Sequence, residues 1–266
     1  MAQVLTSYTR TLDVPWPDNF QSWLSVWEFI NADVLRLLST GCAIERNLYT
    51  ELSGTVVLSF LAVAVGAAAV AVATRLVGDE ARRAKIKDAG VTALLLLAFL
   101  IYAPISQKIF AVFPCVTFED GSRVLRADYS IDCDADNRSA WVLFGVVCVV
   151  AFSVGIPACF FGLLYVRRDV VNPAPRKGET PQQTAMRRNA DPRLTRFEFL
   201  FAAFECRYWW FECVELLRKV LLTGFIVFWE PGSVTQVAAG IFVCILAVVG
   251  TAFVSPYYNV SDDAVA

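Results

Sequence analysis

Residues 54–74 read GTVVLSFLAVAVGAAAVAVAT, a run without a single Asp, Glu, Lys or Arg. A helix needs roughly 20 apolar residues to cross about 30 Å of hydrocarbon, and this run supplies them. Working outward, three more charge-free windows lie at 89–107, 139–166 and 231–261. Lys108, at the end of the second, has a stem long enough to snorkel to the interface. A fifth candidate, 208–229, carries Glu212, Glu215, Arg218 and Lys219 in its first half. It is flanked by Tyr208, Trp209 and Trp210 at one end and Trp229 at the other, as an interfacial aromatic belt would be. The predicted fold is therefore all-α: a polytopic membrane helix bundle with about five transmembrane helices, near 54–76, 90–112, 140–166, 208–229 and 234–256, plus amphipathic interfacial helices. An outer segment, 1–53, precedes the five-helix domain 54–256, a basic link occupies 167–207, and a tail covers 257–266.

Composition agrees. Of 266 residues 57% are hydrophobic and 18% charged, with mean hydropathy +0.54, against about 45–50% and about 25% in soluble domains. Net charge is −2 and no basic domain stands apart, so nucleic acid is not an expected partner. Histidine is absent, which removes the commonest general base and imidazole-dependent metal sites. No Walker A pattern, G-x-S-x-G elbow, paired-cysteine motif or potassium-channel filter is present. Neither enzyme activity nor a cofactor is expected. Asp132, Asp134 and Asp136 alternate like the start of a calcium loop. Asn137 then stands where glycine is needed and Leu143 where a glutamate should close the site, so they read as solvated acidity.

Loop charge sets the orientation. The connection 75–88 carries Arg75, Arg82, Arg83, Lys85 and Lys87, and the link after Val166 carries nine arginines and lysines through Arg207. The other connections are poor in basic residues. The positive-inside rule places both basic stretches in the cytosol, which puts the N-terminus outside and the C-terminus inside a plasma membrane or another secretory-pathway membrane. An exported N-terminal segment without a leader implies an upstream signal or helix before Met1, or else a reverse signal-anchor. Pro173, Pro175, Pro181 and Pro192 predict a largely flexible link, with helical periodicity returning over 194–205 through Phe197, Leu200, Phe201 and Phe204 as an interfacial helix. Anionic lipid is the expected partner of the link arginines, alongside the bilayer itself and a homo-oligomer. In the outer segment, Phe20, Trp23, Leu24, Trp27, Ile30, Val34, Leu37 and Leu38 follow helical spacing after a possible cap at Asp18 or Asn19.

Three groups of residues stand out for function. Glu212, Glu215, Arg218 and Lys219 fall within a third of a helix circumference, with Glu215 and Lys219 an i,i+4 pair and Glu215 and Arg218 an i,i+3 pair. Charges at membrane depth cost about 2.5–3.5 kcal/mol each, so they should face protein, water or one another. They read either as an ion pathway or gating element, or as a self-compensating ion-pair set. Pro104 in the second span, and Gly155 with Pro157 in the third, are hinge candidates, because proline removes a helical hydrogen bond. On the oxidising side lie Cys42, Cys115 and Cys133. Cys115 and Cys133 would close a short loop, although Cys42 could replace either. Asn137-Arg138-Ser139 is a glycosylation sequon on that side, whereas Asn259-Val260-Ser261 faces the cytosol.

The motifs together resemble one family. Val14-Pro15-Trp16-Pro17, Ile30-Asn31-Ala32-Asp33, Tyr102-Ala103-Pro104-Ile105-Ser106, Asp120-Gly121, Asp128-Tyr129, Gly155-Ile156-Pro157, Arg207-Tyr208-Trp209-Trp210-Phe211-Glu212, Arg218-Lys219-Val220-Leu221-Leu222-Thr223-Gly224, Pro231-Gly232-Ser233 and Pro256-Tyr257 are similar to the transient receptor potential (TRP)-like C-terminal membrane domain of large protist, algal and oomycete surface proteins. Fungal TRP-like flavin-carrier proteins are more distantly similar. The resemblance implies an ion-channel or transport domain with cations as the expected cargo. The competing expectation is a non-conducting membrane anchor or receptor-type domain of a larger surface protein. The long cysteine-rich region and earlier helix usual in such proteins are not in this sequence, which suggests a fragment or a reduced member.

Overall fold

The computed structural model describes residues 47–229 and 233–257, with Pro17 alone before them. The expected outer amphipathic helix, Cys42, the second sequon and the acidic end at Asp262-Asp263 lie outside the described residues. Among the described residues four helices are long and apolar enough to cross a membrane: α1 (Leu48–Leu76), α2 (Glu80–Phe110), Arg138–Tyr165 and Val234–Val254. The third is a composite, α3 (Arg138–Cys148) and α4 (Gly155–Tyr165) joined by a π-helical turn, Val149–Val154. Their apolar surfaces are turned outward: Phe60, Leu100, Val150, Phe242 and Phe253 are all exposed. Hydrocarbon is the solvent that accommodates such a surface.

The expected fifth span is built differently. Residues 206–208 form a 3₁₀ turn, α7 covers Phe211–Thr223, and a second 3₁₀ turn covers Phe225–Phe228. The break falls at Gly224, where an added Cβ would sit 2.4 Å from the Phe110 ring and 3.1 Å from the Val220 carbonyl oxygen. Only glycine admits that approach, and it ends the helix after 13 residues. The connection expected over 75–88 also contracts. α1 ends at Leu76 and α2 starts at Glu80, capped by Asp79, whose carboxylate accepts from the Ala81 N–H at 3.1 Å. Four of the five basic residues therefore ride on the first turns of α2.

A small sheet interrupts the helices, an element that the sequence reading did not anticipate. β1 (Cys115–Thr117), β2 (Arg123–Leu125) and β3 (Asp128–Asp132) run antiparallel in the order β1-β2-β3, with Cys115 opposite Leu125 and Val124 opposite Asp132. Two short helices follow the third span: α5 (Arg168–Val171) and α6 (Pro181–Asn189). The last long helix, Val234–Val254, is α8.

The chain forms two compact units. The first takes the described parts of Met1–Phe60, Ile101–Gly155 and Lys219–Val243, and contains the sheet. The second takes Leu61–Leu100, Ile156–Arg218 and the described part of Cys244–Ala266, and contains the basic link. Much of the link is built into short helical elements. Pro181, taken as a sign of flexibility, occupies the first turn of α6, where its missing N–H costs nothing. Thr180 and Gln183 cap that turn reciprocally. The 194–205 segment is a 3₁₀ helix, Thr195–Leu200, and turns, not an interfacial α-helix. Phe197, Leu200, Phe201 and Phe204 are buried within their unit. Phe199 meets Phe99 and Phe160 edge-on at 5.8 and 6.3 Å, and Arg196 pairs with Asp88 at 2.7 Å.

Candidate functional site

In the first unit the sheet is fastened to the helix ends by three side chains. Cys115 and Cys133 are joined by a disulfide, one of the three pairings open in the sequence; Cys42, the third cysteine, lies outside the described residues. Arg126, in the turn between β2 and β3, donates to the carbonyls of Val227 (2.6 Å) and Trp229 (2.8 Å). These lie at the end of the 3₁₀ turn that follows the Gly224 break, where carbonyls have no helical partner. Asp128 accepts from the Leu48 N–H at 2.8 Å, capping α1 from eighty residues away in sequence. Arg138 donates to the Tyr49 hydroxyl (2.9 Å), to the Phe113 carbonyl (3.0 Å) and to Cys115 Sγ (3.6 Å). Tyr49 in turn stacks on Trp141 at 4.3 Å. Asp134 pairs with Arg123 at 2.9 Å, which gives part of the acidic run a structural partner. Among the described residues no group of three or more metal-binding side chains is gathered.

Asp128 provides a pH test of this clamp. Burial pushes its carboxyl up, but hydrogen bonds from the Ser130 hydroxyl and the Leu48 and Ser130 N–H groups outweigh that and hold it below the ordinary 3.8. A depressed carboxylate stabilises the fold above its unfolded pKa and loses that stabilisation as pH falls. Replacing a capping carboxylate by alanine costs about 1 kcal/mol. Asp128→Ala should therefore lower the melting temperature near neutral pH. The gap from the parent protein should close as pH drops below 3.8.

A buried hydrogen-bond chain lies beside Pro104 on α2 and just before Gly155 and Pro157 in the third span. Pro157 has no N–H for the Ser153 carbonyl four residues before it. The Tyr102 hydroxyl takes that place, donating to the Ser153 carbonyl at 3.0 Å. The Ser153 hydroxyl donates onward to Ser106 Oγ at 3.0 Å. Tyr102 and Ser106 flank Pro104 on α2, and all three polar groups are buried. Gly155 closes the π turn, where a Cβ would meet the Val150 carbonyl oxygen at 3.0 Å. π turns of this kind recur at functional sites. The sequence reading found both prolines and the glycine but missed Tyr102, Ser106 and Ser153. A hydroxyl near a proline-freed carbonyl was the available signal, yet which span supplies it depends on tertiary contact. Tyr102→Phe should cost about 1–3 kcal/mol by leaving a buried carbonyl unsatisfied. Adding Pro157→Ala should recover part of that loss by restoring a helical donor, read as a coupling energy from unfolding in detergent.

The charged residues of α7 lie in a protein-facing stripe. Glu215 and Arg218 are 12% and 18% exposed, while the neighbouring Val214 and Leu217 are 41% and 52% exposed. The Arg218 Nε donates to Glu215 Oε2 at 3.1 Å, and its Nη2 bonds the same oxygen. Glu212 and Lys219 also have partners.

In the second unit Arg188, only 2% exposed, donates to the Phe201 and Phe204 carbonyls at 2.9 and 2.7 Å and lies over the Phe201 ring. Arg187 donates to both oxygens of Glu179 at 2.9 Å. It holds that carboxyl down at about 2. Nothing in the charge pattern of the link distinguished these two arginines from their solvated neighbours.

Outward-facing apolar helices and a disulfide-closed loop define a helical membrane protein with several spans. It is similar over part of its length to cysteine repeat modular protein A of Toxoplasma gondii, with 25% identity over 150 residues. The alignment covers 53% of this chain and 4% of that protein. No family model matches the chain, and no solved structure matches it.

Proposed function

We propose that this chain is the membrane-embedded domain of a larger protein, TRP-like in architecture, acting as an anchor or receptor-type domain. The observation that carries the reading is the pairing of the α7 charges: Glu215 and Arg218 bond each other. The partial match to a far longer modular protein supports it. The domain crosses the membrane five times, with the disulfide loop outside and the basic link and C-terminus in the cytosol. The fifth crossing is the broken segment 211–228. At 1.5 Å per α residue and 2.0 Å per 3₁₀ residue it reaches about 28 Å, close to the hydrocarbon thickness. Anionic lipid headgroups are the partners of the exposed arginines of the link.

A second reading, cation transport, draws on the π turn with its two prolines, since broken helices are where membrane carriers bind and bend. Purified protein in liposomes separates the two. The anchor reading expects no flux across ions and voltages. A flux abolished by Glu215→Gln or Lys219→Gln, with folding intact, establishes transport instead.

Glycosylation reads the outer side independently. Asn137 and Ser139 are both exposed, and the 28-residue composite helix is about 42 Å long, which leaves roughly 10 Å beyond the hydrocarbon. Protein made through the secretory pathway should lose mass on endoglycosidase treatment, and Asn137→Gln should not.

A further inference from the structure

Thr180 lies in Arg176-Lys177-Gly178-Glu179-Thr180-Pro181, a segment of the link that its unit turns to solvent. Its hydroxyl is exposed and its backbone extended (φ −78°, ψ 159°), as a residue before proline must be. The hydroxyl takes part in the α6 cap, in which Thr180 Oγ1 accepts from the Gln183 N–H at 3.3 Å. Nine-residue helices are marginal alone, so opening this first turn frees residues 180–183 at small cost. One residue before Thr180, the Glu179 carboxylate is gripped by the Arg187 guanidinium, which also donates to the Ala174 carbonyl at 3.1 Å.

We propose that Thr180 is a phosphorylation site for a proline-directed kinase, and that its phosphate takes Arg187 from Glu179. The inference rests on the cytosolic placement of the link proposed above. In the transfer, Thr180 Oγ1 attacks the γ-phosphorus of magnesium-bound ATP and the bond to the β-phosphate oxygen breaks. ADP leaves, and the hydroxyl proton passes to the catalytic carboxylate of the kinase. The product carries about −1.5 to −2 charges at neutral pH. That charge sits at the start of α6, where N–H groups and helix dipole favour an anion, and beside Glu179, which it repels. Arg187 then prefers the dianion, whose oxygens accept its forked donors as the carboxylate did. The added charge also weakens the attraction of the neighbouring arginines to anionic lipid, an electrostatic release.

The test uses the full chain in detergent with a proline-directed kinase and MgATP, read by mass spectrometry. Phosphate should appear on Thr180 and be lost in Thr180→Ala and in Pro181→Ala; incorporation that persists in either variant overturns the site. For the exchange of partners, tryptic cleavage after Arg187 is timed in Glu179→Gln with and without phosphate on Thr180. Slower cleavage when phosphorylated supports the exchange, and equal rates overturn it. Cells co-expressing the kinase separate this inference from the orientation. If an impermeant amine reagent reaches Lys177 from outside and Thr180 is modified only in detergent, the orientation fails while the site stands. If Lys177 is shielded and Thr180 stays unmodified, the site itself is overturned.

Discussion

Glu215→Leu is expected to destabilise the protein by about 3–5 kcal/mol, because it strands the Arg218 guanidinium on a face that is covered by protein. The double variant Glu215→Leu with Arg218→Met should recover most of that loss, since removing both charges also removes their desolvation. Unfolding in detergent, followed as a double-mutant cycle, gives the comparison. The same pair of variants bears on function. An anchor keeps its abundance and surface delivery in the double variant, because the pair only compensates itself. A conducting domain folds in the double variant but loses its flux.

Replacing Cys115 and Cys133 together by serine should cost about 3 kcal/mol, the constraint a disulfide closing a loop of this size places on the unfolded chain. The effect should spread beyond the sheet. Arg126 leaves β2 only a few residues inside the disulfide loop and holds the Val227 and Trp229 carbonyls. A loosened sheet should release them, so hydrogen exchange across 225–229 rises in the serine variant. Arg126→Ala should reproduce that local rise with the disulfide intact. A rise confined to 115–133 would mean that the sheet and the broken segment are independent.

The spans were legible because charge exclusion over some twenty residues has no other common explanation. The i,i+3 spacing of Glu215 and Arg218 was legible as a pair, and the two side chains do bond each other. Other features were hidden for physical reasons. The sheet has strands of three to five residues, too short for alternation to register. The π turn changes hydrogen-bond partners without changing residue type, and Gly224 looked like one more small residue in an apolar run. Phe197, Leu200, Phe201 and Phe204 have the spacing of an amphipathic helix, but burial rather than a lipid face accounts for them. Arg188 reads as a loop charge, yet its donors fill the carbonyls that those residues leave open. Tyr102 meets Ser153 across fifty-one positions, a pairing that local pattern does not contain.

The central claim is five crossings with the basic link inside the cell, and cysteine accessibility tests it most directly. In a background whose free thiols are replaced by alanine, single cysteines are placed at Ser122, Lys85, Lys177 and Ser233 and treated with an impermeant maleimide. Labelling of Ser122→Cys and Ser233→Cys in intact cells, with Lys85→Cys and Lys177→Cys reacting only after permeabilisation, is the result expected. Reaction of Lys85→Cys or Lys177→Cys from outside, or of Ser233→Cys only from inside, would contradict it.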